Sequence, residues 1–365
     1  VGREAELQAL TRAVARVRSG IGGVVTVVGE AGIGKSRLVA EAGDQESRVT
    51  SHGSAVGDFG SEARDGSVRW VEGRWLSYTE GMAYYGWQEL LRRLLRLPDE
   101  CTRTACVALE ERVEALCPHG AAAIYPYVAR LLNLPLDEAT AAQLDSLVDA
   151  GLLQSAIFRA VADLVTCVAE QEPLALVLED VHWADEASLA LLEHLLALTD
   201  RVPLLIFVTL RPIRDHGCWR IREAMLRDYS HRLTDVWLRP LSPEESGTLV
   251  RRLLAAGGGE GEASADLTQE VQERAEGNPF FAAEIVRAFL DREPLDEGLP
   301  ATVQGVLMAR IDRLSPSARH VLQLAAVVGR VFRYRVLADI LTGSVEGALD
   351  ATLLRLVRAQ MIRES

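Results

Sequence analysis

Lysine is almost missing from this sequence: of 39 Lys and Arg residues in 365, only Lys35 is a lysine. Cysteine is sparse as well. The five cysteines (Cys101, Cys106, Cys117, Cys167, Cys218) are odd in number and form no C-x-x-C pair, which excludes a zinc ribbon and a disulfide framework. They are expected as reduced, buried thiols of a cytoplasmic protein. The seven histidines show no H-E-x-x-H or other metal spacing. No apolar run reads as long enough to span a membrane, and no signal-peptide pattern, internal repeat or low-complexity tract is present. A net charge of −13 excludes a nucleic-acid or anionic-membrane surface spread over the whole chain. The charge is uneven, because residues 299–365 hold nine Arg against five acidic residues.

The one lysine lies in Gly29-Glu30-Ala31-Gly32-Ile33-Gly34-Lys35-Ser36-Arg37, which fits the phosphate-loop pattern G-x-x-x-x-G-K-[ST]. A compact ammonium on a flexible stem can fold back inside such a loop to meet β- and γ-phosphates, where a planar guanidinium fits poorly. The β-branched run Val24–Val28 precedes the loop and a helical pattern follows from Ser36 to Ala42. Strand, glycine loop and helix would bring loop N–H groups and a helix N-terminus onto one anion. A nucleoside triphosphate is therefore the expected ligand.

Further along, residues 43–69 are polar and Gly-rich and read as a loop or insertion, with a second strand at Val68–Gly73. Residues 86–171 read as largely helical, with breaks near Pro118, Pro126 and Pro135. The apolar run Leu174–Leu178 ends in Glu179 and Asp180, and Leu204–Val208 leads to Thr209-Leu210-Arg211-Pro212. A fifth strand is placed near Asp235–Leu238. Short apolar runs alternating with helices predict a parallel α/β sheet covered on both faces. Carboxylates at the end of a neighbouring strand suit a magnesium nucleotide, with Ser36 as metal ligand and Glu179 and Asp180 as metal-linked and water-activating acids. Which acid takes which role stays open. Asp185 reads as the cap of a helix from Glu186, Trp183 as packing, and His182 as non-catalytic for want of a nucleophile partner. Ser242-Pro243-Glu244-Glu245 reads as a helix N-terminus. Beyond it no strand pattern is evident until the last residues.

The run Leu178-Glu179-Asp180-Val181-His182-Trp183-Ala184-Asp185 resembles the extended Walker B of the STAND class, signal-transduction ATPases with numerous domains. It is similar to the ATPase modules beside class III nucleotidyl cyclases and in large ATP-dependent transcription activators. The resemblance implies that Val1-Gly2-Arg3-Glu4 is the N-terminal box against the adenine, and that Arg211 in Thr209-Leu210-Arg211 reaches the γ-phosphate. It implies that Gly277-Asn278-Pro279-Phe280-Phe281 belongs to a helical lid whose Pro279 packs on the base. It also implies that Leu299–Val303 and Arg310–Ser315 open a winged-helix-like module. Two departures stand out: the first Walker B acid is Glu179 where the class often has Asp, and the histidine that meets the β-phosphate in some relatives is not found.

The expected architecture is thus an α/β P-loop NTPase of about five parallel strands (1–240), an all-helical lid (241–295) and a partial, truncated winged-helix-like module (296–365). The start at Val1 leads to the expectation of a piece of a longer chain. Lys35, Glu179, Asp180 and Arg211 are the expected catalytic residues, and Gly2, Arg3, Gly29 to Arg37 and Pro279 the nucleotide contacts. The expected cofactors are ATP or ADP with Mg²⁺. ATP over GTP follows from the resemblance, since no G-x-x-[KN]-x-D guanine motif occurs. The expected activity is slow hydrolysis in a switch that regulates an effector domain (cyclase, DNA-binding or repeat) in the same longer chain, or a partner protein. No membrane and no direct DNA contact are expected, while a nucleotide-dependent oligomer is open. A regulatory module without hydrolysis and a P-loop phosphotransferase remain as alternatives.

Overall fold

A computed structural model describes residues 1–50, 67–76, 79, 82–98, 102–145, 150–256, 265–290, 311, 314–329, 332–341, 349–358 and 361–362. The chain divides into two compact units, Val1–Glu245 and Ser246–Ser365.

The first unit is built on five strands, β1 (Gly23–Val28), β2 (Arg69–Arg74), β3 (Leu174–Glu179), β4 (Leu204–Leu210) and β5 (Leu233–Trp237). All pair in parallel, in the order β2-β3-β4-β1-β5. Its helices are α1 (Glu4–Arg18), α2 (Lys35–Thr50), α3 (Tyr85–Leu95), α4 (Arg103–Leu116), α5 (Ala121–Leu131), α6 (Glu138–Asp145), α7 (Ala150–Gln171), α8 (Glu186–Leu196) and α9 (Gly217–Asp228). Strands β1, β3 and β4 are buried along their whole length, which is why they read as unbroken apolar runs. Alternation divides each strand between two cores. Leu174, Leu176, Leu178, Ile206 and Val208 face a core shared with α3, α4, α5, α7 and α8. Ala175, Val177, Leu205, Phe207, Val25 and Val27 face one shared with α1 and α2.

Three expectations need correction. Helix α2 runs on to Thr50, so residues 43–50 are helix and not loop, while 51–66 lie outside the described residues. The polar composition there is that of a helix packed on one side only. Val39 and Ala42 are buried, the Thr11 hydroxyl meets Gln45 Oε1 at 3.2 Å, and side-chain-free Gly43 faces the Trp70 indole. Pro126 does not break α5. A proline inside a helix costs about 3 kcal/mol, and here Ile124, Val128, Ala129 and Leu131 are buried on the same helix. Last, the Gly151–Gln171 stretch is long and apolar enough to cross a membrane by length and composition. In this structure Ile157, Val161, Leu164, Val165 and Val168 of that helix are part of the core of the first unit.

Helix α10 (Pro243–Ala256) starts at the end of the first unit with a capping box, the Ser242 N–H donating to Glu245 Oε2 at 2.7 Å and the Glu245 N–H to Ser242 Oγ at 3.2 Å. In the second unit, α10, α11 (Ala265–Ala275) and α12 (Pro279–Leu290) share one small core. Helices α13 (Pro316–Val328), α14 (Tyr334–Leu341) and α15 (Leu349–Arg358) share another. The expected boundary between lid and third module, and its motif at Leu299–Val303 and Arg310, lie outside the described residues.

Candidate functional site

Parallel pairing brings three strand ends to one rim. Val28 lies beside Leu210, and Leu178 beside Val208. Gly29 after β1, Glu179-Asp180 at the end of β3 and Arg211 after β4 therefore occupy adjacent positions, roughly 5 Å apart from strand to strand. The C-terminal edge of a parallel sheet is where such folds bind ligands.

The phosphate loop is shaped by its glycines. Gly32 (φ 74°) and Gly34 (φ 102°) take left-handed conformations, which cost a side chain about 1–2 kcal/mol each. A Cβ on Gly29 would fall 2.8 Å from Ile33 Cγ2. Ile33 anchors the loop in the α1/α2-side core, while Glu30, Ala31 and Gly32 are exposed. Lys35 opens α2, is buried, and donates from Nζ to the Gly29 carbonyl at 2.8 Å and the Glu30 carbonyl at 3.0 Å. Its pKa is pulled below the ordinary lysine value, first by burial and then by Arg211, with Asp180 and Glu30 acting in the opposite sense. Ser36 is half-buried beside it and Arg37 is exposed.

The two acids of β3 part company. Asp180 has φ 56°, and its N–H donates to Thr209 Oγ1 of β4 at 2.9 Å. This kink ends the strand's alternation. Glu179 stays on the β-strand, 3% exposed, and forms an ion pair with Arg74, the residue opposite it on β2. Of these two acids, Asp180 is the one that acts on Lys35. Arg74 was not singled out from the sequence, because its partner is set by strand register.

After the kink, Val181–Trp183 form a 3₁₀ turn and Asp185 caps α8, accepting from the Ser188 N–H at 2.9 Å and the Ser188 hydroxyl at 2.5 Å. Asp185 also accepts from the Tyr84 N–H at 3.2 Å. The capping expectation is met. Trp183 is half-buried, with the Arg211 guanidinium carbon 5.8 Å from its ring centre. His182 is 1% exposed and its pKa is pushed down to about 3, chiefly by burial and then by Arg211, Lys35 and His216. It is a neutral imidazole at neutral pH.

Gly2 takes a left-handed backbone (φ 64°) that strains any side chain, and a Cβ there would push the Glu245 carboxylate aside. Arg3 donates to the Arg239 carbonyl and reaches Glu6 at 3.4 Å, tying the N-terminal box to the segment after β5. Pro279 is the first residue of α12 in the second unit, where Asn278 Oδ1 accepts from the Phe280 N–H at 3.1 Å.

The residues fit a phosphate chain. The loop's conformation, a buried ammonium bonded to two of the loop's own carbonyls, and a buried Arg211 Nε without a partner all suit an incoming anion. Among the described residues no group of three or more His, Cys, Asp or Glu could hold a metal alone. Mg²⁺ is bound by one or two protein oxygens together with substrate phosphates. Ser36 and Asp180 supply oxygens of that type.

Residues 1–208 match the AAA ATPase domain family, and residues 242–295 match a family described only as a domain of unknown function. No curated protein matches. Similar solved structures include a STAND protein with a tetratricopeptide repeat sensor from Pyrococcus horikoshii, 14% identical with TM-score 0.46, over 97% of this chain and 38% of that one. A Walker-type ATPase of Pyrococcus abyssi is 16% identical with TM-score 0.41, over 100% and 91% of the two chains. The ORC2 protein of Aeropyrum pernix, in ADPNP and ADP complexes, is 13% identical with TM-score 0.44, over 100% and 87%. The chain thus spans 38% of the length of the first of these proteins. With its Walker A loop and Walker B acids on one sheet edge and the family match across 1–208, the chain belongs to the AAA ATPase domain family.

Proposed function

We propose that this chain is an ATP-dependent switch module that hydrolyses its nucleotide slowly and passes its state to an effector domain or partner. The observation that carries this reading is the shared rim of Lys35, Asp180 and Arg211 at the ends of three adjacent strands. In this reading the loop N–H groups and the N-terminus of α2 hold the phosphates. Lys35 exchanges its two loop carbonyls for phosphate oxygens, so that nucleotide replaces internal bonds. Ser36 and Asp180 would hold Mg²⁺, which supplies charge neutralisation between the β- and γ-phosphates when bound. Asp180 also orients the attacking water, and Arg211 meets charge on the terminal phosphate. The helices from 241 to 295 would form the lid, with Pro279 toward the base. Residues 296–365 would report the bound state in the cytoplasm to the regulated domain. Loss of the γ-phosphate removes the tie between loop and Arg211, which is the switching event.

One observation favours a second reading, a nucleotide-binding regulator without hydrolysis. Glu179, the first Walker B acid, is held by Arg74, which leaves Asp180 as the one Walker B acid that acts on Lys35. Denaturing freshly purified protein and identifying the released nucleotide separates the two, with Lys35→Ala as control. Stoichiometric ADP in the parent and none in the variant supports the hydrolysing switch. Bound ATP supports the regulator. An empty site with no affinity for added ATP sinks both.

A further inference from the structure

Among the described residues close to the rim, Nε of Arg211 and both ring nitrogens of His182 are buried without a hydrogen-bond partner. Orphaned buried polar atoms are uncommon, and each costs about 1–3 kcal/mol. The two side chains border the same indole. The Arg211 guanidinium carbon is 5.8 Å from the Trp183 ring centre, and the His182 ring centre is 5.1 Å from that of Trp183. Arg211 and Lys35 are also among the charges that act on His182. The remaining neighbour of this kind, His216, is already engaged, its Nδ1 accepting from the Cys218 N–H at 3.1 Å.

The donor and acceptor count is specific. Arg211 Nε–H can only donate, and a neutral imidazole has one acceptor nitrogen and one donor N–H. A chain running Arg211 Nε–H to imidazole N, then imidazole N–H to an external oxygen, satisfies all three atoms with one ligand oxygen. The rim is where the terminal phosphate is expected, and its oxygens accept hydrogen bonds of this kind. We propose that His182 is a positioning residue for triphosphate: it accepts from Arg211 and donates to an oxygen of the γ-phosphate or of a water held against it, so that Arg211 is placed only when that oxygen is present. The inference rests on the ATP-binding reading above. It makes His182 a means by which the site tells ATP from ADP.

The test is equilibrium binding of a non-hydrolysable ATP analogue and of ADP to the parent, His182→Leu, His182→Asn, Arg211→Lys and the His182→Leu/Arg211→Lys pair. His182→Leu should lower affinity for the triphosphate analogue roughly tenfold, the loss of one charge-assisted bond, while ADP affinity stays within about twofold. His182→Asn, which still donates and accepts, should recover most of that loss. Arg211→Lys keeps the charge but lacks the Nε–H, so it should shift the same ratio, and adding His182→Leu should cost little more. Equal losses for both nucleotides, an additive double variant, or no change in the ratio would each overturn the proposal while leaving ATP binding intact. If His182→Leu does not fold, Arg211→Lys with and without His182→Asn decides the matter on the same ratio. A parent that binds neither nucleotide, or binds them no better than Lys35→Ala, would sink the functional reading and this inference together.

Discussion

The pair Arg74–Glu179 offers the sharpest test of how the Walker B end is built. Glu179 is 3% exposed, while the Arg74 side chain keeps 32% of its surface in water. Replacing Arg74 by Met keeps the aliphatic stem but leaves the carboxylate unpaired inside the protein. Breaking a buried pair from one side costs about 3–5 kcal/mol, and Arg74's partial exposure argues for the lower end, ~3 kcal/mol. Glu179→Gln frees an arginine that can turn toward water, so it should cost about 1 kcal/mol. The double variant should cost little more than Glu179→Gln alone, giving a coupling of about 3 kcal/mol. For a unit of this size ~3 kcal/mol is a fall of about 6–12 °C in melting temperature. Calorimetry on nucleotide-free protein reads it, following the transition that added ATP raises, which identifies the first unit. An Arg74→Met cost below about 1 kcal/mol, or additivity within ~0.5 kcal/mol, would show that Glu179 is not held by Arg74. The acid would then be available to the metal.

Asp180→Asn should reduce hydrolysis by about 10²–10⁴-fold with little change in melting temperature, because Asn also accepts the left-handed conformation at this residue. Asp180→Ala should lose activity equally and a further ~1 kcal/mol of stability; equal melting temperatures for the two would refute the strand-end kink. Asp185→Ala removes the cap of α8 and the bond from Tyr84, and should cost about 2 kcal/mol in thermal unfolding with nucleotide affinity retained. In nucleotide-free protein His182 titrates near 3 when folded and near its ordinary value of 6.5 when unfolded. The unfolded chain therefore binds the proton first, and stability should be full above pH 6.5 and fall by ~2 kcal/mol by pH 5. His182→Asn should flatten that slope in urea titrations at several pH values, and an unchanged slope would place His182 in a wetter site.

Much of the site was legible because it is local. A β-branched run, a glycine loop and a helix start occupy adjacent residues, and the lone lysine marks the loop without reference to anything distant. The buried strands were legible for a related reason, since burial on both faces removes polar residues from every position. Helix α2 beyond Ala42 was missed because its outer face is polar and its inner contacts are to Thr11 and Trp70, far away in sequence. His182 was set aside because the sequence shows no nucleophile beside it. That criterion suits a catalytic histidine and has no bearing on a buried hydrogen-bonding one.

The sequence by itself determined the phosphate loop, the strand that precedes it and the presence of two adjacent acids after an apolar run, because chain connectivity alone holds those groups together. Only the tertiary structure decided that Glu179 belongs to Arg74 and Asp180 to the loop, and that His182 and Arg211 share a wall with Trp183. Those choices depend on strand register and on which atoms lose access to water, and neither exists until the five strands have paired.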